Sequence, residues 1–183
     1  MGWTGGYVLL AGRSVDNAGA ITTPNGQTTL AAGDAIVVRP GQGSDKNQFS
    51  STRGNEVEML RVAGSVAGAV VNNGVIQAAT GDITLSGNSV RQDGVLLSST
   101  TVNGRGSIHL AAAGENAGVT LARGSVSAVV IDDNGATALD VQRDTLLKDT
   151  GKGTDTPQDR RDQSLVRIVS AGNVEFEGDS LTL

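Results

Sequence analysis

The sequence predicts an all-β fold, a parallel β-helix with coils of about 20–25 residues, and three observations carry that reading. A glycine-apolar phrase recurs along the chain. Within each copy the apolar residues alternate with polar ones, which marks a strand with one buried face. Glycines number 26 against three prolines, and aromatics make up only 2%, so many short strands with tight corners and a narrow aliphatic core are favoured over long helices.

The phrase is a glycine, an apolar residue four positions on, a second glycine two further, then an apolar residue three beyond that. Gly6, Leu10, Gly12 and Val15 form one copy, and Gly81, Leu85, Gly87 and Val90 a second. Gly172, Phe176, Gly178 and Leu181 repeat the same spacing. Looser copies start at Gly26 (through Leu30, Gly33 and Ile36), at Gly106 (through Ile108 and Leu110) and at Gly135 (through Leu139). A companion phrase joins Val15-Asp-Asn17-Ala-Gly19-Ala-Ile21 to Val71-Asn-Asn73-Gly74-Val-Ile76, and each copy reaches its next glycine five positions after the isoleucine. The steps from Gly6 to Gly26 and from Gly81 to Gly106 each have the expected length of one coil.

Alternation places Ile83 with Leu85, Ile108 with Leu110, and Val174 with Phe176 on one face each. Asn25-Gly26, Asn73-Gly74, Asn103-Gly104 and Asn134-Gly135 punctuate the strands, because both residue types accept the left-handed backbone of sharp corners. One coil cannot bury its inner face alone, whereas stacked coils share a continuous core. A sandwich of antiparallel hairpins is the competing reading, since Asn-Gly between apolar runs is also a hairpin signal. Recurrence of the same phrase at the spacing of one coil favours the helix.

Two stretches break the pattern and read as loop insertions outside the stack: about 40–55, and about 143–163 with the charged run GKGTDTPQDRRDQ. Loops on a rigid scaffold carry recognition, so Lys46, Asn47, Phe49, Arg53, Lys152, Asp155, Arg160 and Arg161 are the candidate partner-contact residues.

The wording at 14–36 (SVDNAGAITTPNGQTTLAAGDAI), 70–114 (beginning VVNNGVIQAATGDITLSGNSV) and 124–142 (GSVSAVVIDDNGATALDVQ) resembles the filamentous haemagglutinin family, the large exoproteins of two-partner secretion. The shared pattern is Asn-x-Gly-x-Ile-x-Ala followed by Gly-x-Val-x-Leu-x-Ala-Gly. The resemblance implies a right-handed β-helix, export through an outer-membrane transporter, a secreted or cell-surface location, and attachment to a glycan or protein receptor on host cells or to other bacteria. The family's secretion domain carries Asn-Pro-Asn signatures that are absent here, so residues 1–183 read as a single segment of shaft downstream of that domain. A passive stalk displaying a distal toxin or adhesin is the second reading.

Other functions fit the residues less well. Acidic residues outnumber basic ones, 19 to 14, with no basic stripe for a nucleic acid. No apolar run approaches the roughly 20 residues that span a bilayer, and the first residues show no signal peptide. There is no cysteine. His109 is the only histidine, and on that ground neither a Ser-His-Asp site nor a two-histidine metal site is expected. Its alignment with Leu9, Thr29, Thr84 and Glu175 predicts an outward, solvent-facing side chain. A carbohydrate-active enzyme would need two carboxyls flanking a cleft, but Asp132 and Asp133 alternate across a strand, and Asp155, Asp159 and Asp162 sit among basic residues. Gly81-Asp82 and Gly178-Asp179 are isolated pairs without a calcium-binding repeat, and Gly151-Lys-Gly-Thr lacks the spacing of a phosphate loop. No enzyme activity and no cofactor are expected.

Overall fold

The computed structural model describes residues 6–40, 55–59, 68–100, 106–131 and 164–183. Among these residues every regular element is a β-strand. The first coil comprises β1 (Tyr7–Gly12), β2 (Ser14–Asn17) and β3 (Ala20–Thr22). The second opens with β4 (Gln27–Ala32), leaves the stack for β5 (Ile36–Pro40) and β6 (Asn55–Met59), and returns through β7 (Ala69–Asn72) and β8 (Val75–Ala78). The third runs through β9 (Asp82–Gly87), β10 (Ser89–Gln92) and β11 (Val95–Thr100), and the fourth through β12 (Ser107–Ala112), β13 (Gly118–Leu121) and β14 (Val126–Ile131). The fifth is β15 (Leu165–Ser170), β16 (Asn173–Phe176) and β17 (Leu181–Thr182).

Each coil contributes one strand to each of three parallel five-stranded sheets. Sheet A is β1-β4-β9-β12-β15, sheet B is β2-β7-β10-β13-β16, and sheet C is β3-β8-β11-β14-β17. Tyr7 lies beside Gln27, and Asp82 beside Ser107, so in each case the neighbour is the residue one coil further along the chain. The step from Gln27 to its neighbour Asp82 is far longer in sequence, because the β5–β6 excursion falls between them. The chain is a parallel β-helix. Among the described strands only β5 and β6 pair antiparallel, which rules out the hairpin sandwich.

Inward side chains form columns along the stack. Sheet A supplies Leu10, Leu30, Leu85, Leu110 and Ile168, sheet B supplies Val15, Val70, Val90, Val119 and Val174, and sheet C supplies Ile21, Ile76 and Leu96. The middle coils' members of all three sheets belong to one buried cluster. Each fully buried aliphatic side chain contributes about 1.5–3 kcal/mol. The core also carries one polar column, in which Asn17 Nδ2 donates to Asn72 Oδ1 at 2.8 Å and Asn72 Nδ2 to Gln92 Oε1 at 2.8 Å. Gln92 Nε2 then donates to the carbonyls of Gly94 and Val126, at 2.9 and 3.1 Å. Each amide donates to the next coil, and Asn72 and Gln92 also donate to a carbonyl of their own coil, so the amides of this column are satisfied.

The corners explain the glycines. A Cβ on Gly26 would lie 1.9 Å from the Gly6 carbonyl oxygen, and one on Gly81 2.1 Å from that of Gly26. At a second corner, Cβ atoms on Gly74 and Gly94 would lie 2.0 and 2.1 Å from the carbonyl oxygens of Gly19 and Gly74. Stacked backbones turn so closely there that no side chain fits. Beside the first of these corners, Asn25 and Thr80 adopt left-handed backbones, with φ of 53° and 51°. Asn accepts that conformation readily, whereas it strains the β-branched Thr80.

Four details differ from the sequence reading. The Gly172 copy keeps the spacing of Gly6 and Gly81 but occupies sheets B and C, where they occupy A and B. The companion phrase is offset by one position at its start, pairing Val15 with Val70 and Asn17 with Asn72. The Gly26 copy does not continue into sheet B, because Ile36 begins the excursion. The expected loop at 40–55 is flanked by paired strands, so the insertion is longer than its polar centre. Residues 41–54 and the whole of 143–163, like Asn103, Asn134 and the Gly135 copy, lie outside the described residues.

Candidate functional site

The candidate partner-contact residues Lys46, Asn47, Phe49, Arg53, Lys152, Asp155, Arg160 and Arg161 all lie outside the described residues, as do Asp132, Asp133, Asp159 and Asp162. The described structure instead gathers polar side chains on the outward face of sheet A. Alternation along β4, β9 and β12 turns Gln27, Thr29, Asp82, Thr84, Ser107 and His109 away from the core, yet all six are buried. An outward face becomes interior only if something covers it. Strand β6 lies against β4 and β9, with Val57 buried. Gln27 fastens one end of this cover: its side-chain amide donates to the Asn55 carbonyl, and the Asn55 amide donates to Gln27 Oε1 at 2.7 Å. Gln27 thereby behaves as a piece of backbone and extends the pairing to an element outside the stack.

His109 belongs to this covered face. It stands in one column with Leu9, Thr29 and Thr84, as expected, but Arg167 and not Glu175 continues that column. The expectation of solvent exposure is wrong, because His109 is only 6% exposed. No signal around position 109 announces this burial.

The single histidine also meets a serine and an aspartate, contrary to the expectation that no such grouping would form. Ser107 Oγ donates to Asp82 Oδ1 at 2.5 Å, and His109 Nε2 lies 2.9 Å from Ser107 Oγ. The hydrogen bond between His109 and Ser107 runs in the direction that the imidazole tautomer sets. In a nucleophilic triad the imidazole stands between the other two and accepts the serine proton. Here the serine stands in the middle. Its bond to Asp82 ties coils three and four together across the outward face of sheet A.

A second polar cluster marks the corner between sheets B and C. Arg91 reaches Glu177, two coils away, at 3.1 Å and Asp93 at 3.5 Å, while Arg123 pairs with Asp179 at 3.2 Å. The Arg123 backbone amide donates to Glu177 at 3.0 Å. That amide, helped by the Arg91 guanidinium, holds the Glu177 carboxyl below its ordinary range, and the hydrogen bond to Glu177 raises Arg91. Arg91 and Glu177 are half-buried and the others exposed, so each pair contributes little alone; together they lash the edges of coils three, four and five.

Among the described residues no group of three or more acidic or histidine side chains is placed to hold a metal ion, and no helix is long and apolar enough to cross a membrane. In comparisons with protein-family models, curated proteins and solved structures, nothing matches the chain.

Proposed function

We propose that this chain is a structural and adhesive segment of a secreted bacterial surface protein of the filamentous haemagglutinin type. It serves as a rigid spacer that meets a host-cell glycan or protein receptor, or another bacterium, after export through an outer-membrane transporter. The support is the five-coil stack itself. Each added coil lengthens such a rod by about 4.8 Å. Among the described residues, Asp82, Ser107 and His109 join in fastening neighbouring coils, and Arg91, Glu177, Arg123 and Asp179 form ion pairs at a corner. That is the chemistry of a shaft. Recognition is assigned to the two insertions, 40–55 and 143–163, which interrupt the coil sequence and carry Lys46, Asn47, Phe49, Arg53, Lys152, Asp155, Arg160 and Arg161.

The test is binding. The folded protein, checked by circular dichroism for β content, is titrated onto host cells and a glycan panel beside a variant lacking both insertions. Saturable binding that disappears with the insertions supports the adhesive reading. A folded chain that binds neither cells nor glycans refutes it and leaves the passive stalk.

A further inference from the structure

Two Asn-Gly pairs sit at corners of the stack, Asn25-Gly26 between sheets C and A and Asn73-Gly74 between sheets B and C. Both asparagines are exposed. The corners impose this dipeptide: the stacked backbones leave no room for a Cβ on either glycine, and Asn25 takes a left-handed backbone that asparagine tolerates. The same dipeptide is chemically labile, because a glycine leaves its backbone nitrogen open to the preceding asparagine side chain. Each corner ties down the groups that would react. Gly74 N–H donates to the Asn17 carbonyl at 2.9 Å and Asn73 Nδ2 to Asp16 Oδ1 at 3.2 Å, so nitrogen and carboxamide are both held by the first coil. Gly26 N–H donates to the Thr23 carbonyl at 3.1 Å, and the Thr80 hydroxyl of the next coil donates to Asn25 Oδ1.

We propose that Asn25 and Asn73 are spontaneous deamidation sites that coil stacking holds shut, so that a chain left unfolded is marked irreversibly at its corners. In the reaction the glycine nitrogen gives its proton to solvent hydroxide and attacks the asparagine Cγ. A ring C–N bond forms, the bond to the side-chain nitrogen breaks, and that nitrogen leaves as ammonia with a proton from water. Water then opens the succinimide at either carbonyl, giving aspartate or isoaspartate. Ring closure needs the glycine nitrogen released from its hydrogen bond and the carboxamide swung onto it. At Asn73 that demands separation of the first two coils, because Asn73, Gly74 and Val75 all donate across the corner. At Asn25 it demands opening of the Thr23–Gly26 turn, which is flanked by cross-coil bonds from Asn25 to Ala79 at 2.7 Å and from Gln27 to Gly6 at 2.9 Å. The rate therefore follows the opening of the corner and not the exposure of the side chain. The products do not fit back. Isoaspartate carries the chain through Cβ and lengthens it at position 73, beside a glycine whose own Cβ would lie 2.0 Å from the Gly19 carbonyl oxygen. Aspartate sets a second carboxylate against Asp16 in place of a donor.

The intact chain is held folded in buffer and unfolded in concentrated guanidinium at the same mildly alkaline pH, and peptide mapping follows aspartate and isoaspartate at positions 25 and 73. A synthetic peptide of residues 68–79, kept in both solutions, corrects for the denaturant itself. Both sites convert in the unfolded chain, and the expected rate in the folded chain is at least about tenfold lower. Asn72→Ala weakens the stack beside the corner without touching the dipeptide, and is expected to raise the folded-state rate at Asn73 severalfold. Returned to buffer, chains carrying isoaspartate at 73 fail to regain the parent's urea midpoint. Equal corrected rates in the folded and unfolded chain at either site overturn the proposal, as does an unchanged rate at Asn73 in folded Asn72→Ala. So does an isoaspartate-bearing chain that refolds to the parent's midpoint.

Discussion

Replacing Gly74 with alanine tests whether the glycines are corner pieces of a stack. The new Cβ would lie 2.0 Å from the Gly19 carbonyl oxygen and 2.9 Å from its nitrogen, so the first coil must retreat by about 1.4 Å to reach an ordinary contact. Three backbone bonds cross that corner: Asn73 and Gly74 donate to the Asn17 carbonyl at 2.8 and 2.9 Å, and Val75 donates to Gly19 at 2.9 Å. A retreat of that size takes all three beyond hydrogen-bonding distance, at about 1 kcal/mol each. Alanine recovers about 0.4–1 kcal/mol by restricting the unfolded chain, which leaves a net loss of about 2–3 kcal/mol. Gly19, at the same corner in the first coil, is the control, because its nearest neighbour to an added Cβ is Asn17 Oδ1 at 3.9 Å. Gly19→Ala is expected to be neutral or to stabilise by up to about 1 kcal/mol. Urea unfolding followed by circular dichroism measures both. Equal midpoints for the two variants would refute the stacking argument.

Three further substitutions examine the fastenings. Asn72→Ala removes the middle of the amide column and strands groups on Asn17 and Gln92, with an expected loss of about 1–3 kcal/mol in urea unfolding. Ser107→Ala takes a hydroxyl donor from Asp82 and a hydrogen-bond partner from His109, with a similar expected loss of about 1–3 kcal/mol; an unchanged midpoint would show that the cluster is not a fastening. Glu177→Gln has a pH signature. The folded carboxyl titrates below its ordinary value, so its contribution is fully present above the usual carboxylate range and is lost as pH falls through the depressed folded value. Thermal melts should therefore show the variant slightly less stable than the parent at neutral pH and equal to it at strongly acidic pH.

Corners are the most legible feature of this sequence, because they demand glycine for steric reasons that nothing else satisfies. Gly26 and Gly81 mark successive turns for that reason, and the apolar alternation of Ile83 with Leu85 or Ile108 with Leu110 follows from one buried face. Spacing alone does not say which sheet a phrase occupies. The Gly172 copy has the separations of Gly6 because a short strand plus a corner takes similar lengths at either edge, yet it lies one sheet further on. The slip of one position between Asn17 and Asn72 had a remedy in the sequence: Gly19 stands as far from Gly74 as Ile21 does from Ile76, and that common separation pairs Asn17 with Asn72 and not Asn73. The β5–β6 excursion also left a trace, since Ile36 and Val38 alternate on one side of the polar stretch and Val57 and Met59 on the other. The burial of His109 left none. His109 shares its face with Gln27, Thr29, Asp82 and Thr84, a set that looks made for water, and β6 lies against the β4 and β9 part of that face.

The central claim is that successive coils stack in parallel and in register, and a pair of introduced cysteines tests it most directly. Asp16 and Val71 are outward neighbours on β2 and β7 although they are distant in sequence, and adjacent strands lie about 4.8 Å apart, within the span of a disulfide. Asp16 and Arg91 are two coils apart, roughly 9.6 Å, beyond that span. The account predicts that Asp16→Cys with Val71→Cys oxidises in the folded monomer and that Asp16→Cys with Arg91→Cys stays reduced. A 16–71 pair that remains reduced in the folded chain under oxidising conditions would contradict it.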